Sequence, residues 1–104
     1  MANKLLVISI DALNAKDYDY IKNLSVFKDF MENGSVVKSV DSTYPTLTYS
    51  CHTSIITGDY PEIHGIFHNE KFDPEHYLAQ DWFWYAKDIK TPTLFDLAKE
   101  AGKK

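Results

Sequence analysis

The chain has 104 residues, of which 44% are hydrophobic, and its formal net charge at pH 7 is -4. This length suits one small domain, and the hydrophobic fraction is ordinary for a globular protein with a core. The acidic balance argues against a protein that binds the nucleic-acid backbone, because such proteins usually present a basic surface.

Cysteine use and hydropathy bear on the compartment. The single Cys51 cannot form an internal disulfide and fits a reducing environment. The N-terminal apolar run is short and ends in a charge, so it is neither a signal peptide nor a span, which needs about 18 apolar residues. The sequence as printed therefore predicts a cytoplasmic protein without a membrane segment.

The first predicted element is a buried strand at residues 5–10. This run, LLVISI, is unbroken, apolar and partly β-branched. It ends at Asp11, and a carboxylate at the C-terminal end of a central parallel strand lies where open α/β sheets bind their ligands. Residues 12–20 are polar and aromatic, which is typical of a loop or an irregular turn.

A helix and a second strand are predicted next. The helix ends at Asn33-Gly34, and residues 35–40, SVVKSV, alternate as a strand near a sheet edge does. Strand, helix and strand in this order predict a right-handed crossover, and hence an α/β fold with a mainly parallel sheet and flanking helices. The helix is indicated by apolar residues at spacings of three and four: Ile21, Leu24, Phe27, Phe30 and Met31.

Residues 44–66, YPTLTYSCHTSIITGDYPEIHGI, predict a loop that brings Thr48 to the start of a short helix. Pro45 disfavours helix before this point, residues 49–57 are compatible with helix, and Gly58 supplies a stop. A hydroxyl at a helix N-terminus lies among unpaired N–H groups, where a phosphate can bind. Most threonines at such positions are plain helix caps, so this feature alone is weak evidence.

Asp11 and Thr48 are expected to meet at one edge of the predicted sheet, and such an oxygen pair suits a divalent cation. Further along, residues 59–62 predict a turn set by Pro61. Gly65 is expected to adopt a backbone angle that a larger residue would resist.

The region from residue 67 to residue 84 is rich in aromatic residues but lacks periodicity. One interpretation is a cover over the active edge that stacks on nucleotide bases. The other, which we favour because aromatics are general packing material, is a long loop with a short strand near residues 81–85. The aromatic residues are Phe67, Phe72, Tyr77, Trp82, Phe83 and Trp84.

The last predicted helix has Thr91 as its N-cap and Pro92 at its first position, and it ends at Gly102. In α/β proteins a helix of this kind leads into another parallel strand. We therefore expect the sequence to be the front portion of a longer protein.

The segments VISIDAL, PTLTYSCHTSIITGDYPEIHGI and HNEKFDP resemble the start of the type I phosphodiesterase/nucleotide pyrophosphatase family of the alkaline phosphatase superfamily. The resemblance spans nearly the whole chain. It implies that residues 1–104 are the N-terminal part of a catalytic domain with an alkaline-phosphatase-like α/β fold. It also implies two divalent metal ions in the complete domain, with zinc as the expected metal.

The resemblance assigns roles residue by residue. Asp11 matches a metal ligand, and Thr48 matches the nucleophile, which also contacts the metal. Asn69 matches the asparagine that steadies a phosphoryl oxygen, and the intervals of 37 and 21 residues are those expected. Tyr49 matches the aromatic residue that lines the substrate pocket. Apart from the resemblance, His68 is the histidine expected to touch substrate, because it lies next to Asn69.

Some positions depart from the family pattern. Ser50 and Cys51 stand where many relatives have Pro-Asn, and His68 replaces a more usual glycine, which leaves the finer shape of the pocket open. The remaining histidines have no recognised metal-ligand spacing and receive no assigned role. These are His52, His64 and His76.

The expected function is metal-dependent hydrolysis of phosphodiester or nucleotide pyrophosphate bonds through a phosphorylated Thr48. The substrate would be a nucleotide or another small phosphodiester. The other metal ligands of the family come from later segments, so these 104 residues alone are expected to be inactive. Relatives are often exported or membrane-anchored, which leaves the localisation open.

Three alternatives remain. The protein could be a phosphomonoesterase or a phosphonate hydrolase of the same superfamily, whereas a sulfatase is disfavoured because no C/S-x-P-x-R motif occurs. It could be a non-catalytic α/β interaction module, although a receiver-like domain would need an acidic pair after Ile10. In a third case it is a plain folding or interaction fragment, and exposed sheet edges would then favour self-association.

Overall fold

The computed structural model describes residues 4–75 and 81–103. The chain forms two compact units, Met1–Asp41 and Ser42–Lys104. Across the described ranges the regular structure is helical, and the β pairing is one isolated antiparallel bridge between Glu70 and Trp82. The predicted α/β fold with a mainly parallel sheet is therefore wrong for this part of the chain. Within the same ranges, no helix is both long enough and apolar enough to cross a membrane.

The two predicted parallel strands fail because they have no partners. Residues 5–10 follow an irregular path with exposed apolar side chains, and Leu6 is 81% exposed. Residues 35–40 are also irregular. A strand is held by hydrogen bonds to a neighbouring strand, and no described residue pairs with either segment. An apolar run indicates what a segment can bury but does not supply the partner.

The first unit contains a 3-10 turn at Ala15–Asp17, helix α1 at Tyr18–Ile21 and helix α2 at Ser25–Asn33. The loop or irregular turn predicted at residues 12–20 describes its first part, but a capping box between Asn14 and Asp17 starts a helical turn there and helix α1 begins at Tyr18. Helix α2 ends where the sequence predicted, immediately before Gly34.

The single helix predicted to begin near Ile21 is interrupted at residues 22–24. The side-chain amide of Asn23 donates to the Asp19 carbonyl at 2.7 Å, and the Asn23 backbone N–H donates instead to the Tyr20 carbonyl at 3.2 Å. In a continuous helix that backbone N–H would bond the Asp19 carbonyl. The asparagine side chain thus competes with the backbone and separates α1 from α2.

The second unit contains helix α3 at Thr48–Thr57, helix α4 at Pro61–His64, a 3-10 turn at Ala86–Asp88 and helix α5 at Leu94–Glu100. Helix α3 contacts both α4 and α5. The predicted start of a helix at Thr48 and its stop at Gly58, which has a φ of 76°, are confirmed.

Two details of the second unit differ from expectation. The turn predicted around Pro61 is a short helix, with Pro61 in its first turn. Helix α5 is capped by Thr93 and not by Thr91, because the Thr93 hydroxyl accepts from the Asp96 N–H. Gly65 has the predicted unusual backbone angle, a φ of 82°. A Cβ there would lie 2.9 Å from carbons of the Lys90 side chain, so glycine suits the position on both counts.

The buried side chains of the described residues gather around α3 and α4 and are mostly polar. Ile66 is the buried large apolar residue, at 2% exposure. The buried polar residues are Ser50, Thr53, His64 and Thr93. An unpaired buried polar group is costly, and all of these polar side chains except Ser50, whose hydroxyl has no partner in the described residues, make hydrogen bonds.

Candidate active site

Thr48 is the first residue of α3, and its hydroxyl does not cap the helix. The N-cap position is Leu47, whose backbone is extended and whose side chain offers no acceptor. Within residues 4–75 and 81–103, the Thr48 hydroxyl makes no hydrogen bond. A threonine that served as a cap would sit one position earlier and accept an N–H of the first turn. The hydroxyl is therefore free at the positive end of a helix.

Asn69 lies beside this helix terminus. Its Oδ1 accepts a hydrogen bond from the Tyr49 backbone N–H at 3.0 Å. The contact satisfies one of the unpaired N–H groups of the first turn of α3. With Oδ1 occupied, the Nδ2 group of Asn69 keeps its donors, for which the described residues provide no acceptor. A hydroxyl and an amide donor thus occupy one end of one helix.

Backbone pairing fixes the position of Asn69. The Phe83 N–H donates to the Asn69 carbonyl at 3.1 Å, and the Lys71 N–H donates to the Asp81 carbonyl at 2.6 Å. The isolated bridge between Glu70 and Trp82 lies between these two bonds. Residues 69–71 and 81–83 therefore form a short antiparallel ladder, and the strand predicted near residues 81–85 is reduced to this pairing.

An aromatic cluster covers Tyr49. Its ring packs edge-on against Trp82 at a centroid distance of 5.7 Å and against Trp84 at 6.1 Å. The two tryptophan rings stack on each other at 5.6 Å. The Trp84 N–H donates to the Trp82 carbonyl at 2.8 Å, a three-residue turn that keeps the two indoles close together on Tyr49.

A cavity of about 300 Å³ lies along α3. Most of its wall is apolar or aromatic, and His52 is one of its few polar groups. The His52 Nδ1 lies 2.8 Å from the Thr48 carbonyl. Because a carbonyl can only accept, Nδ1 carries the proton, and in the neutral ring Nε2 is left as an acceptor. The lining residues are Tyr49, His52, Thr53, Ile56, Ile66, Phe83, Trp84, Tyr85, Ala86 and Ile89.

His64 is fully buried and joins α3 to the chain beyond α4. Its Nδ1 accepts from the Ile66 backbone N–H at 3.1 Å, so in the neutral ring Nε2 carries the proton. Nε2 lies 3.0 Å from the Ser54 hydroxyl of α3 and donates to it. Burial lowers the pKa of His64, and the nearby Asp59 carboxylate acts in the opposite direction. No specific role was assigned to this histidine from the sequence. Its position immediately before Gly65, which ends α4, was the available indication of a structural role.

His68 and Asp11, both considered from the sequence, make local hydrogen bonds with backbone N–H groups. His68 is exposed, its Nδ1 accepts from the Glu70 N–H at 3.1 Å, and no described contact joins it to Thr48 or Tyr49. Asp11 belongs to the first unit, where its Oδ1 accepts from the Ala12 N–H at 2.9 Å. The convergence of Asp11 with Thr48 stays a prediction. His76 lies outside the described residues.

No group of three or more His, Cys, Asp or Glu side chains within residues 4–75 and 81–103 is placed to hold a metal ion. Asp11 and Thr48 offer oxygen donors of the right chemistry, but two donors are fewer than the four that zinc usually takes. A metal bound here would need further ligands.

A free hydroxyl and an amide donor at a helix N-terminus define a candidate nucleophile site for an anionic group such as a phosphate ester. Residues 5–104 match the type I phosphodiesterase / nucleotide pyrophosphatase family, and the chain belongs to that family.

Curated relatives agree with this membership. The human protein named bis(5'-adenosyl)-triphosphatase ENPP4 is 36% identical over 94 residues, which cover 83% of this chain and 20% of the relative. Its mouse counterpart is 34% identical over 92 residues, or 81% and 20% of the two chains. Human ectonucleotide pyrophosphatase/phosphodiesterase family member 1 is 36% identical over 74 residues, or 67% and 8%. The chain thus spans about a fifth or less of the length of these relatives.

Proposed function

We propose that this chain carries the nucleophile of an enzyme that hydrolyses phosphodiester or nucleotide pyrophosphate bonds. The observation that carries the proposal is the free Thr48 hydroxyl at the start of α3, with the Asn69 amide bonded to the next N–H of that helix. Family membership and the names of the relatives support this choice of reaction.

In the proposed reaction the Thr48 oxygen attacks phosphorus in line with the leaving oxygen. The P–O bond to the leaving group breaks, the proton of the Thr48 hydroxyl is passed to the leaving oxygen, and a phosphothreonine forms that keeps the other ester group of the substrate. Water then attacks this phosphorus and releases the Thr48 oxygen, which regains a proton. The positive end of α3 and the Nδ2 donors of Asn69 are placed to stabilise negative charge on a phosphoryl oxygen.

Two divalent cations, with zinc as the expected metal, are part of this proposal. Asp11 and Thr48 are the ligands that we propose from this chain, and the remaining ligands must come from other residues. Such an ion, when bound, would lower the pKa of a hydroxyl that is otherwise a weak nucleophile. Because these donors alone are too few, we expect the 104-residue chain by itself to be inactive.

The proposed substrate is a nucleotide or a related small phosphodiester. Tyr49 adjoins the nucleophile and packs with Trp82 and Trp84, and aromatic faces of this kind stack on nucleobases. The interpretation of the aromatic region as a substrate cover therefore gains support for these two tryptophans. A contact between His68 and the substrate stays a prediction.

The test replaces Thr48 in the protein at its full natural length. Thr48→Ala should lower the turnover of a nitrophenyl phosphodiester by about 10³-fold or more, because the attacking oxygen is lost. Thr48→Ser keeps an oxygen and should retain part of the rate. The matched control is Thr46→Ala, which removes an exposed hydroxyl that bonds the Thr43 carbonyl.

Mass spectrometry of protein quenched during turnover of the diester should find, on Thr48, a phosphoryl group that still carries the ester group retained from the substrate. Turnover that survives Thr48→Ala would remove this residue from its proposed role. Rates on nitrophenyl monoesters and phosphonates, measured in parallel, separate a diesterase from a phosphomonoesterase or a phosphonate hydrolase.

A further inference from the structure

We propose that Lys71 is a positioning residue of this site, which holds the 81–85 segment so that Asn69 and the two tryptophans stay against the start of α3. This inference rests on the proposed function, since the effect on turnover requires that Asn69 acts on the substrate. Its structural part, the placement of Asn69 against Tyr49, can be measured separately.

The ammonium group of Lys71 has two carboxylates and two aromatic rings around it. Its Nζ lies 2.8 Å from Oδ2 of Asp88 and 3.3 Å from Oδ2 of Asp81. The same Nζ lies 5.6 Å from the ring centroid of Phe83 and 5.9 Å from that of Tyr85. Lys71 therefore contacts three residues of the 81–85 segment and the 3-10 turn that follows it.

The ion pair between Lys71 and Asp88 is less exposed to solvent than the other ion pairs of the described residues. The side chains of Lys71 and Asp88 are 25% and 19% exposed, whereas those of Lys28 and Glu32 are 66% and 64% exposed. Exposed pairs contribute little because water and salt screen them. The Asp88 and Asp81 carboxylates raise the pKa of Lys71, so the ammonium keeps its charge at neutral pH.

The 81–85 segment has two sets of contacts. Asp81, Phe83 and Tyr85 contact the Lys71 side chain. Trp82 and Trp84, at the intervening positions, contact Tyr49. Because the contacts with Lys71 and those with Tyr49 come from neighbouring positions of one short stretch, restraint of the three residues that contact Lys71 also restrains the two tryptophans between them. Lys71 thus anchors the segment whose tryptophans contact Tyr49.

The same anchor reaches Asn69 through the backbone ladder. Lys71 follows Asn69 by two residues, and both pair with the 81–83 stretch through bonds of 2.6 Å and 3.1 Å. In the described ranges these two bonds, which together define the Glu70–Trp82 bridge, are the backbone hydrogen bonds between the stretches, and a ladder this short is marginal by itself. The ion pairs of Lys71 supply the additional restraint next to the residue whose amide bonds the Tyr49 N–H.

The test compares three variants. Lys71→Met keeps an unbranched apolar stem and removes the charge, whereas Lys71→Arg keeps the charge. The matched control is Lys87→Met, because Lys87 lies 5.1 Å from the same Tyr85 ring but makes no ion pair within the described residues.

Hydrogen exchange of the Tyr49 backbone amide reads the placement of Asn69 directly. In Lys71→Met this amide should exchange about tenfold faster or more, because its acceptor is no longer held. Amides in the middle of α3 should keep their rates. Lys71→Arg should restore slow exchange, and Lys87→Met should behave as the wild type. Unchanged Tyr49 exchange in a folded Lys71→Met protein would overturn the proposal.

Turnover of the full-length protein reads the consequence for the reaction. Lys71→Met should lower kcat for the diester by about 10- to 100-fold, the loss expected when a catalytic group is misplaced. KM should change less, and Lys71→Arg should recover kcat. A role in folding alone would leave kcat unchanged in the folded fraction, and that result would refute the proposal.

If Lys71→Met does not fold, Asp88→Asn removes the partner charge and should give the same pattern of exchange and turnover. Normal exchange and kcat in that variant would count against the anchor. If Thr48→Ala retained turnover while Tyr49 exchange still depended on Lys71, the proposed function would fail and the placement of Asn69 by Lys71 would stand.

Discussion

Single residues of this protein are best understood from the direction of their hydrogen bonds. The Tyr49 N–H must donate, so Asn69 accepts with Oδ1 and keeps its Nδ2 donors for a ligand. The Ile66 N–H must donate, so the neutral His64 accepts at Nδ1 and donates from Nε2 to Ser54. Protonation of His64 would place a second hydrogen at Nδ1, against the Ile66 N–H.

The first prediction concerns His64 and pH. Burial lowers its pKa in the folded chain, whereas the unfolded state titrates near about 6.5. Below that pH the unfolded state binds more protons, so stability should fall with decreasing pH and level off below the folded-state pKa. Above about pH 6.5 His64 is neutral in both the folded and the unfolded state, so this group should no longer make stability depend on pH.

Denaturant unfolding between pH 5 and pH 8 checks this prediction, with the range chosen to bracket the about 6.5 of free histidine. His64→Gln does not titrate, so it should flatten the pH dependence. It should also lower the free energy of unfolding at the upper end by about 1–3 kcal/mol, through lost buried hydrogen bonds. His68→Gln, at an exposed position, is the control. A His64→Gln protein with the wild-type slope would show that this group is not responsible.

At the level of elements, the start of α5 shows how a cap is identified. The sequence offers two threonines on either side of Pro92, and Thr91 was the predicted N-cap. In the structure the Thr93 hydroxyl lies 3.3 Å from the Asp96 N–H, and the Thr93 N–H donates to the Asp96 carboxylate at 2.8 Å. The Thr91 hydroxyl is buried and has no hydrogen-bond partner in the described residues.

Substitution of the two threonines tests this assignment. Thr93→Ala should lower the free energy of unfolding by about 1 kcal/mol, the usual cost of a lost N-cap. Thr91→Ala removes an unpaired hydroxyl and should cost less. Thermal unfolding of both variants measures the difference. A larger loss in Thr91→Ala would reinstate the cap that the sequence predicted.

The elements also show which structural features could be predicted from the sequence. The start of α3 at Thr48 and the glycines after α2 and α3 were predicted, because prolines, glycines and free helix ends act through local chemistry. The strands at residues 5–10 and 35–40 were not borne out, because pairing depends on segments far away in the chain. The break after α1 was missed because the Asn23 side chain competes with the helix within a continuous apolar pattern.

The candidate site divides in a similar way. The proximity of Thr48 and Asn69 was predicted from the family motif, and the structure brings the two residues to one helix end. The packing of Trp82 and Trp84 on Tyr49 was not predicted, since composition does not determine which rings meet. The role of Lys71 could not be predicted from the sequence, because the four residues that contact its ammonium group lie further along the chain, within residues 81–88. Asp11 as a metal ligand stays a prediction.

At the level of the whole molecule, apolar side chains remain largely in contact with solvent. Leu5, Val37 and Phe72 are 78%, 76% and 89% exposed, and Ile66 is the buried large apolar side chain of the described ranges. Soluble monomers rarely leave large apolar patches uncovered. Self-association was predicted from exposed sheet edges, and the described residues contain no sheet. The exposed apolar side chains give a different reason for association, because contact between copies would remove them from water.

We therefore expect the 104-residue chain to associate with itself. Sedimentation velocity should show a weight-average mass that rises with protein concentration, and a dye that binds apolar surface should fluoresce with the chain. Addition of salt should not dissolve the assemblies, because the contacts are apolar and not ionic. A monomer at all concentrations, without dye binding, would contradict this expectation.

The stacked indoles next to Tyr49 have a practical consequence. They are the two tryptophans of the chain, so the tryptophan fluorescence of the protein comes entirely from this cluster. The ring of Trp82 lies 5.7 Å from that of Tyr49, the residue that follows the proposed nucleophile. A compound that settles there must alter the colour or brightness of that light, without any attached dye. Tryptophan fluorescence can therefore report the binding of a compound next to Tyr49.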